Sequence, residues 1–598
     1  MAELTAADIA ALRSKYKEER DKRVGTSSRE IPDLTGDLAK YLDDPYVRPT
    51  HRDPVNDHVE AVVVGAGLGG LMLGAYLREA GLERIRLVDA AGDVGGVWYW
   101  NRYPGAMCDI ESLIYLPLLE ELGYTPTMKY ASAPEIQAYT QRIAKHYDLY
   151  DDALLQTAVT GMEWNDDRTA WTVRTDRGDE FTASYVILAN GPLSRPKLPD
   201  IPGIETFKGH AFHTSRWDYS YTGGGPESPM NGLADKSVGI IGTGATGIQA
   251  VPPLGRYSKE LFVFQRTPST VGVRANGPIE PDWVSRQEPG WQDRRRRNFS
   301  SILAGIPVAE DLVGDGWTDL YKGLLATEDA PKLSPEEMAA AREQADFQRM
   351  ESIRARIDAE VHDPVKAEAL KPWYQYLCKR AGFHDEYLGA FNSPTVSIVD
   401  TDGRGIERVD ETGVFVAGKH YALDLLVFAT GFEFDTAYTR RIGFDVTGQD
   451  SLRLSEKWED GVSTLHGLTT SGFPNLFVMP GTRSQSTVTA NVAHSTDESA
   501  RHAVHVIAEL RRRKLAGFEV KPEAEQAWVD LVVGRTPDRS AFLEACTPGR
   551  YNNEGVVSHR VSKNVAWPDS PIEMWGLLAD WRKRGDLEGM RLIGDSTD

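Results

Sequence analysis

Two glycine-rich motifs, each between a predicted strand and a predicted helix, constrain the fold of this chain more than any other feature. GAGLGG at 65–70 follows the β-branched run EAVVV, and GTGATG at 242–247 follows SVGII. In this setting glycines allow a tight turn and a close approach of backbone to a pyrophosphate at the helix N-terminus. One such motif could be an ordinary glycine turn, but two predict an α/β protein with two Rossmann-like dinucleotide-binding domains. The key positions are Gly65, Gly67, Gly70, Gly242, Gly244 and Gly247.

The two units differ at the residue that ends the second strand. Asp89 and Arg266 each lie 24 positions after the first glycine of their motif. A carboxylate at this position accepts hydrogen bonds from a ribose diol, whereas an arginine there binds a 2′-phosphate. Arg266 could also be an ordinary surface residue. We therefore expect FAD in the first unit and NADPH in the second. Thr267 and Lys379 are further candidate phosphate ligands.

At 598 residues the chain is too long for a single core. Charged residues with helical periodicity predict a helical insertion, and LLVFATG is interpreted as a strand that returns to the flavin domain. The expected order is an N-terminal extension (1–57), FAD-binding domain, first part (58–192), NADP-binding domain, first part (193–280), helical insertion (281–370), NADP-binding return segment (371–390), FAD-binding domain, second part (391–500), and a C-terminal region bordering the active site (501–598).

Composition narrows the possible partners and location. With 67 Lys and Arg against 88 Asp and Glu, the formal charge of −21 argues against nucleic acid or an anionic membrane as partner. No apolar run reaches the length of a membrane span, and the N-terminus lacks a secretion signal. The three cysteines form no CxxC pair and no zinc-type cluster. We therefore expect a cytoplasmic protein with reduced thiols and no metal, as a monomer or small homo-oligomer.

The segment between the two units carries a more specific pattern. FKGHAFHTSRWD at 207–218 resembles the full fingerprint of the type I Baeyer–Villiger monooxygenases, which are flavin-dependent enzymes. GGVWYWNRYPGAMCDIES at 95–112 and GFPNLFVMPG at 472–481 are also similar to motifs of that family. The resemblance covers roughly residues 58 to 500. It implies an enzyme that uses NADPH and O₂ to convert a ketone into an ester or lactone.

The resemblance also assigns catalytic residues. In that family NADPH reduces the flavin, the reduced flavin captures O₂, and the C4a-peroxide remains an anion that attacks the ketone carbonyl. These anions need a fixed positive charge in a site without water. The matching residue here is Arg380, after Lys379 in LCKRAGF, and Asp109 in GAMCD is expected to orient it by a carboxylate pairing. Arginine suits the role because its charge does not titrate. A Lys-Arg pair alone is usually solvated surface, and an aspartate such as Asp109 is often a turn or cap residue.

Further cofactor contacts are expected near the two glycine motifs, although the aromatic residues could equally belong to the core. On the flavin side they are Gly96, Val97, Trp98, Trp100, Asp109, Tyr115 and Val159, and on the NADP side Thr243, Gly244, Thr246, Gly247 and Gln249. His213 is interpreted as coupling the domains near NADP, since no step requires an imidazole base.

The sequence predicts the substrate less directly than it predicts the reaction. CTPGRYNNEG, after residue 500, most resembles the branch that acts on bulky ketones, such as the cyclododecanone and pentalenolactone-pathway monooxygenases. Met107 stands where the family motif commonly has arginine, and either Arg550 or Tyr551 replaces a tryptophan that contacts NADP. The polar loop TRSQSTVTA at 482–490 is expected to border the substrate cavity.

Three other functions remain open from sequence alone. An N- or S-oxygenating flavin monooxygenase is the main alternative, and the Trp217-Asp218 ending and Lys379–Arg380 argue against it. A disulfide reductase would need a CxxC near the flavin. A nucleotide-binding redox sensor would bind flavin without oxygenating a substrate.

Overall fold

A computed structural model describes residues 4–25, 30–325, 334–434, 436–481, 484–487, 489–557 and 563–595. Two open sheets frame the molecule, and each contains one of the strand–glycine–helix units. The leading strands His58–Val64 and Ser237–Ile241 are almost wholly buried, as in parallel sheets covered on both faces. The α/β class with two Rossmann-like units and a helical insertion is confirmed. Within the described parts of the chain, no helix has the length and apolarity needed to cross a membrane.

The first sheet carries the first glycine motif. His58–Val64 lies between Ile85–Val88 and Glu180–Leu188, parallel to both. Ala170–Thr175 and then Val159–Asn165 continue the sheet beyond Glu180–Leu188 as antiparallel strands. Because parallel strands end at the same edge, Asp89 lies beside the glycine turn. In order the strands are Val446–Thr447, Val159–Asn165, Ala170–Thr175, Glu180–Leu188, His58–Val64 and Ile85–Val88, with Leu476–Val478 also paired to Glu180–Leu188.

The second sheet carries the second glycine motif, and its strands are all parallel. Their order across the sheet is Val396–Asp400, Glu260–Gln265, Ser237–Ile241, Leu425–Phe428 and His210–His213.

This sheet corrects one predicted boundary. We expected the second part of the flavin domain to begin at 391 and LLVFATG to return to it. Val396–Asp400 and Leu425–Phe428 instead pair within the second sheet, so among the described strands the first sheet resumes at Val446–Thr447. The prediction was wrong because a short buried apolar strand fits either parallel sheet, and only tertiary packing selects its neighbours.

The described residues between 281 and 370 are mainly helical, as the periodic, charged sequence predicts. They are Trp291–Leu303, Gly316–Leu325, Pro335–Glu360 and Pro364–Leu370. The N-terminal helix Ala6–Asp21 packs against Pro335–Glu360, with the Tyr16 and Phe347 ring centroids 5.3 Å apart. The extension therefore belongs to the packed structure, and its residues Leu34 and Tyr41 pack against apolar residues of the second sheet.

The other helices surround the sheets. Leu68–Glu79 and Ala245–Tyr257 follow the two glycine turns, and Val492–Arg512 packs along Leu68–Glu79. The rest are Val97–Trp100, Ser112–Tyr115, Leu119–Leu122, Ala133–His146, Tyr219–Thr222, Tyr387–Ala390, Tyr438–Ile442, Leu454–Lys457, Pro522–Arg535, Ser540–Ala545 and Pro571–Arg584. Short strands outside the two sheets are Val271–Gly272 with Gly382–Phe383, Arg408–Asp410 with Gly413–Val416 and Lys419–Ala422, and Leu515–Val520 with Met590–Asp595.

The cysteines correct a second expectation. Cys378 and Cys546 form a disulfide across 168 positions of sequence, whereas Cys108 is a buried free thiol. The expectation of reduced thiols throughout was wrong, because sequence spacing does not report which cysteines the fold brings together. The disulfide joins the segment before Lys379 and Arg380 to the C-terminal region.

Candidate active site

Close backbone packing at the first glycine turn excludes any side chain at its key positions. Gly65 has a φ of 109°, and a Cβ there would lie 2.5 Å from the carbonyl oxygen of Ala189. A Cβ on Gly70 would collide with the Gly65 carbonyl, and one on Gly96 would lie 2.7 Å from the Cα of Gly67. The backbone is thus packed so closely that only glycine fits, as in turns that place a pyrophosphate at a helix N-terminus.

Asp89 lies at the edge of this turn. Its carboxylate accepts hydrogen bonds from the backbone N–H of Ala66 at 2.7 Å and of Ala91 at 2.8 Å. Burial raises the pKa of this carboxyl, against the lowering effect of the two hydrogen bonds. Each oxygen still has acceptor capacity for a ribose hydroxyl. The turn and Asp89 together fit the adenosine half of FAD.

The aromatic residues of the 95–112 motif follow the turn. Val97–Trp100 is a single helical turn, and the indole N–H of Trp98 donates to the Tyr115 hydroxyl at 3.0 Å. The Arg216 guanidinium stacks 3.7 Å from the centre of the Trp100 ring. Val159 is buried at the start of the strand Val159–Asn165.

The second glycine turn repeats the first. Gly242 has a φ of 108°, a Cβ on Gly247 would collide with its carbonyl, and a Cβ on Gly244 would meet no atom within 4 Å. The Thr243 hydroxyl donates to the Thr267 carbonyl at 2.9 Å. The open space above Gly244 is where a pyrophosphate at this helix would lie.

Two residues of the second helix face the flavin-side motif. The side-chain amide of Gln249 donates to the Met107 carbonyl at 2.9 Å, and its oxygen accepts from the Tyr103 hydroxyl at 2.7 Å. The Thr246 side chain also hydrogen bonds to Tyr103, whose pKa burial raises to about 12. Both ends of Gln249 are therefore engaged with the first unit, and the two predicted cofactor sites are joined through it.

Arg380 and Asp109 meet at this junction. Nη1 of Arg380 donates to Oδ2 of Asp109 at 2.6 Å and Nη2 donates to Oδ1 at 2.8 Å, a two-point pair. Burial opposes both charges, but the partners outweigh it, since the pKa of Asp109 is lowered and that of Arg380 is raised. The Arg380 guanidinium lies 5.2 Å from the Trp317 ring centroid, and the Trp317 indole donates to the Asp109 carbonyl at 3.0 Å. The cation is held from several sides, while 36% of its side chain remains exposed.

A second group of cations surrounds Lys379. The Lys379 ammonium donates to the Pro548 carbonyl at 3.4 Å, and burial together with Arg266 lowers its pKa to about 7. Arg266 forms an ion pair with Glu554 at 2.8 Å. Within the described residues the buried hydroxyl of Thr267 has no hydrogen-bond partner. Cations beside an unsatisfied hydroxyl, at the end of the second unit, fit a 2′-phosphate.

The 207–218 fingerprint has a structural role. His213 is fully buried, its Nδ1 lies 2.8 Å from the Ser215 hydroxyl, and burial lowers its pKa to about 3, so it is neutral at ordinary pH. Its ring contacts Phe432, in the connection that leaves the second sheet. Trp217 is a core residue, and Asp218 caps Tyr219–Thr222.

Several residues of the site did not emerge from the sequence. Arg216 lies inside the fingerprint, so a signal existed for it. No sequence motif pointed to Trp317 or Arg274. Arg274 is a buried arginine whose charge interacts with Asp109. Two further residues contact Arg266 from opposite ends of the chain. Nε of Arg23 donates to the Arg266 carbonyl at 3.1 Å, and Glu554 forms an ion pair with the Arg266 side chain.

The polar loop at 482–490 is described only in part. Residues 482, 483 and 488 lie outside the described residues. Gln485 and Ser486 are buried, and the Gln485 side chain accepts from Thr464 at 2.8 Å and donates to the Val462 carbonyl at 2.8 Å. Arg550 stacks 4.3 Å from the Phe434 ring.

Comparison with known proteins extends over the whole chain. A family model described as pyridine nucleotide-disulphide oxidoreductase matches residues 62–270. Pentalenolactone D synthase of Streptomyces exfoliatus is 49% identical over 588 residues, 97% of this chain and 100% of the relative. A Baeyer-Villiger monooxygenase of Streptomyces coelicolor is 47% identical over 590 residues, 97% of this chain and 96% of the relative. The solved polycyclic ketone monooxygenase of Thermothelomyces thermophila is 37% identical, with a TM-score of 0.89 over 98% of this chain and 99% of the other.

Proposed function

The chain belongs to the Baeyer–Villiger monooxygenases, and we propose that its substrate is a bulky, polycyclic ketone and that Arg380 and Asp109 form its catalytic centre. The enzyme uses FAD, NADPH and O₂ to convert a ketone into an ester or lactone. Relatives of this kind, matched over nearly the full length, favour this reaction over N- or S-oxygenation.

The catalytic role of Arg380 is supported by its geometry. FAD, when bound and reduced by NADPH, would supply oxygen activated from O₂, and the ketone oxygen would gain negative charge during attack. Arg380 stands between the two nucleotide units with a permanent charge. Asp109 takes two of its five N–H donors and the Ala381 carbonyl takes a third. The remaining donors can stabilise a developing anion. This pair is the single observation that carries the proposed catalytic centre.

Asp109 acts as a positioning residue in this proposal. Its two-point contact fixes the plane of the guanidinium, and Trp317 holds the Asp109 backbone through its indole N–H. A fixed cation needs no reorganisation when charge develops, which is the main benefit of a preorganised site.

NADPH selectivity is assigned to the cations around Lys379. Arg266 and Thr267 end the second strand of the NADP unit, and Lys379 lies beside them. A dianionic 2′-phosphate would satisfy the Thr267 hydroxyl and these charges together. The adenosine 2′-hydroxyl of NADH could not do so.

The substrate proposal is supported by the relatives. The Thermothelomyces protein is named for polycyclic ketones, and the Streptomyces exfoliatus protein for pentalenolactone D. The test is a panel of ketones from cyclohexanone to fused polycyclic ketones, with product identification and kcat/KM. Fused-ring ketones should give the higher kcat/KM, and a maximum at cyclohexanone would contradict the proposal. An amine and a sulfide in the same panel would reveal N- or S-oxygenation as the main activity.

We further propose a cytoplasmic enzyme that acts as a monomer or small homo-oligomer without nucleic acid. Its need for NADPH and its charge of −21 support this. The Cys378–Cys546 disulfide is unusual for that compartment. Trapping the thiols by alkylation in intact cells would show whether it is formed there.

A further inference from the structure

The carboxylate of Glu554 already occupies the arginine assigned to the 2′-phosphate. Oε2 of Glu554 lies 2.8 Å from Nη2 of Arg266, although the two residues are 288 positions apart. The pair is half-shielded, with 17% of the Glu554 side chain and 34% of the Arg266 side chain exposed. Solvent therefore screens this pair less than it screens a fully exposed ion pair.

A built turn aims Glu554 at this position. Asn553 and Glu554 both have left-handed backbones, with φ of 50° and 53°, and Gly555 follows with φ of 89°. Such a conformation is uncommon for glutamate. The Asn552 side chain holds the turn by accepting from the N–H of Gly549 at 2.9 Å and of Gly555 at 3.2 Å. The backbone of this turn therefore places Glu554 beside Arg266.

The turn is also anchored beside the cation group. Cys546 is joined by its disulfide to Cys378, and Lys379 donates to the Pro548 carbonyl. Glu554 consequently faces Lys379 as well as Arg266, and its charge favours the protonated form of that lysine. One carboxylate thus offsets part of the positive charge of a site fitted for a dianion.

From this geometry we infer that Glu554 is a specificity-determining residue that competes with the 2′-phosphate of NADPH for Arg266. A phosphate with two charges can displace a single carboxylate from a group of cations, whereas the neutral 2′-hydroxyl of NADH cannot. Glu554 therefore weakens binding of the phosphorylated nucleotide and leaves the unphosphorylated one unaffected. The inference rests on the proposed assignment of Arg266 to the 2′-phosphate.

The test measures binding directly with nucleotides that lack the nicotinamide. Adenosine 2′,5′-bisphosphate and 5′-AMP would be titrated into the FAD-loaded full chain by calorimetry. Glu554→Gln keeps the shape of the side chain and should bind the bisphosphate about 3- to 10-fold more tightly, with 5′-AMP unchanged. Glu523→Gln, an exposed glutamate elsewhere in the C-terminal region, is the matched loss of one negative charge and should change neither affinity.

Two further comparisons distinguish the possible failures. In an Arg266→Ala background, Glu554→Gln should give no gain, because the two side chains act on one another. If the wild type prefers the bisphosphate but Glu554→Gln binds it equally or less well, the competition is overturned while the NADPH site stands. If the wild type shows no preference for the bisphosphate over 5′-AMP, the assignment of Arg266 fails, and this inference fails with it.

Discussion

Cys378 and Cys546 are joined by a disulfide, and this bond holds the C-terminal segment CTPGRYNNEG against the residues that precede Arg380. Lys379 follows Cys378 directly and reaches the carbonyl of Pro548, two residues beyond Cys546. Two distant parts of the chain are therefore fixed to one another at the proposed NADP site.

Removal of the disulfide should lower stability. Cys546→Ser opens a covalent loop of 168 positions, a change worth about 2–4 kcal/mol, and should lower Tm by roughly 5 °C. Affinity for NADP⁺ should rise, because Glu554 on the less restrained C-terminal segment competes less with the 2′-phosphate for Arg266. Thermal unfolding and calorimetry measure the two effects.

A thiol reductant supplies the matched control for this variant. It should lower the Tm of the wild type toward that of Cys546→Ser and leave the variant unchanged. Three free thiols in the unreduced, denatured wild type would show that the disulfide is absent and would overturn the prediction.

Binding of NADP⁺ should depend on pH through Lys379. Burial and the neighbouring cations Arg266, Arg23 and Arg550 lower its pKa to about 7, with Glu554 acting in the opposite direction. The protonated amine binds phosphate, so its contribution is complete below about pH 7 and is lost as the pH rises above that value. Affinity should fall by up to about tenfold per pH unit there, with uptake of a proton on binding.

Calorimetry at pH 8.5 in buffers of different ionisation enthalpy would count that proton. The phosphate is already a dianion at this pH, so it contributes no proton of its own. Lys379→Arg stays charged and should show neither the uptake nor the fall in affinity. An equal uptake in Lys379→Arg would assign the proton to another group.

Arg266 should set the preference for NADPH over NADH. A charge-assisted contact contributes about 2 kcal/mol, so Arg266→Ala should reduce the ratio of the two kcat/KM values by roughly 30-fold. Arg256→Ala, an exposed arginine on the helix of the same unit, is the matched control and should leave the ratio unchanged. Equal efficiency of the wild type with both nucleotides would contradict the assignment of Arg266.

The two glycine units could be predicted from sequence because their physics is local. A buried strand, a turn that only glycine can form and a helix N-terminus follow one another within a few residues, and Asp89 and Arg266 occupy the same place in each. Arg380 and Asp109 were found differently. They are 271 positions apart, and only the family resemblance suggested that they meet.

The remaining features depend on tertiary packing that no local pattern records. Strands such as Val396–Asp400 are short apolar runs that fit either sheet, so their partners could not be predicted. The disulfide, the Arg266–Glu554 pair and the contact of Arg23 with the Arg266 carbonyl each join residues more than 160 positions apart. Single charged residues at such separations have no periodicity to identify them.

Asp109 should matter through Arg380. Asp109→Asn keeps the size of the side chain but loses the charge that raises the pKa of Arg380 and one of the two acceptors of the pair. We expect a loss of about tenfold or more in kcat for lactone formation, with little change in the affinity for NADP⁺.

The control should remove a carboxylate that has no part in the site. Asp385→Asn is unsuitable because Asp385 accepts a hydrogen bond from the backbone N–H of Arg274. Glu386→Gln, exposed and next to it, is the better choice. An Asp109→Asn enzyme with normal kcat would exclude the positioning role.

Loss of the Arg380 cation should separate the two halves of the reaction. Arg380→Ala should still bind FAD and oxidise NADPH without O₂, because hydride transfer needs geometry and no cation at the oxygen. In air it should form lactone about 10²–10³-fold more slowly, which corresponds to about 3–4 kcal/mol for a preorganised charge, and it should release hydrogen peroxide for most of the NADPH consumed. Arg380→Lys should recover little of the lactone rate, since a point charge cannot reproduce the two-point contact with Asp109.

Lactone and hydrogen peroxide are measured per NADPH consumed, with anaerobic NADPH oxidation as the internal control for folding and cofactor binding. Lactone at near wild-type yield from Arg380→Ala would mean that another group, such as the buried Arg274 whose charge also interacts with Asp109, supplies the cation.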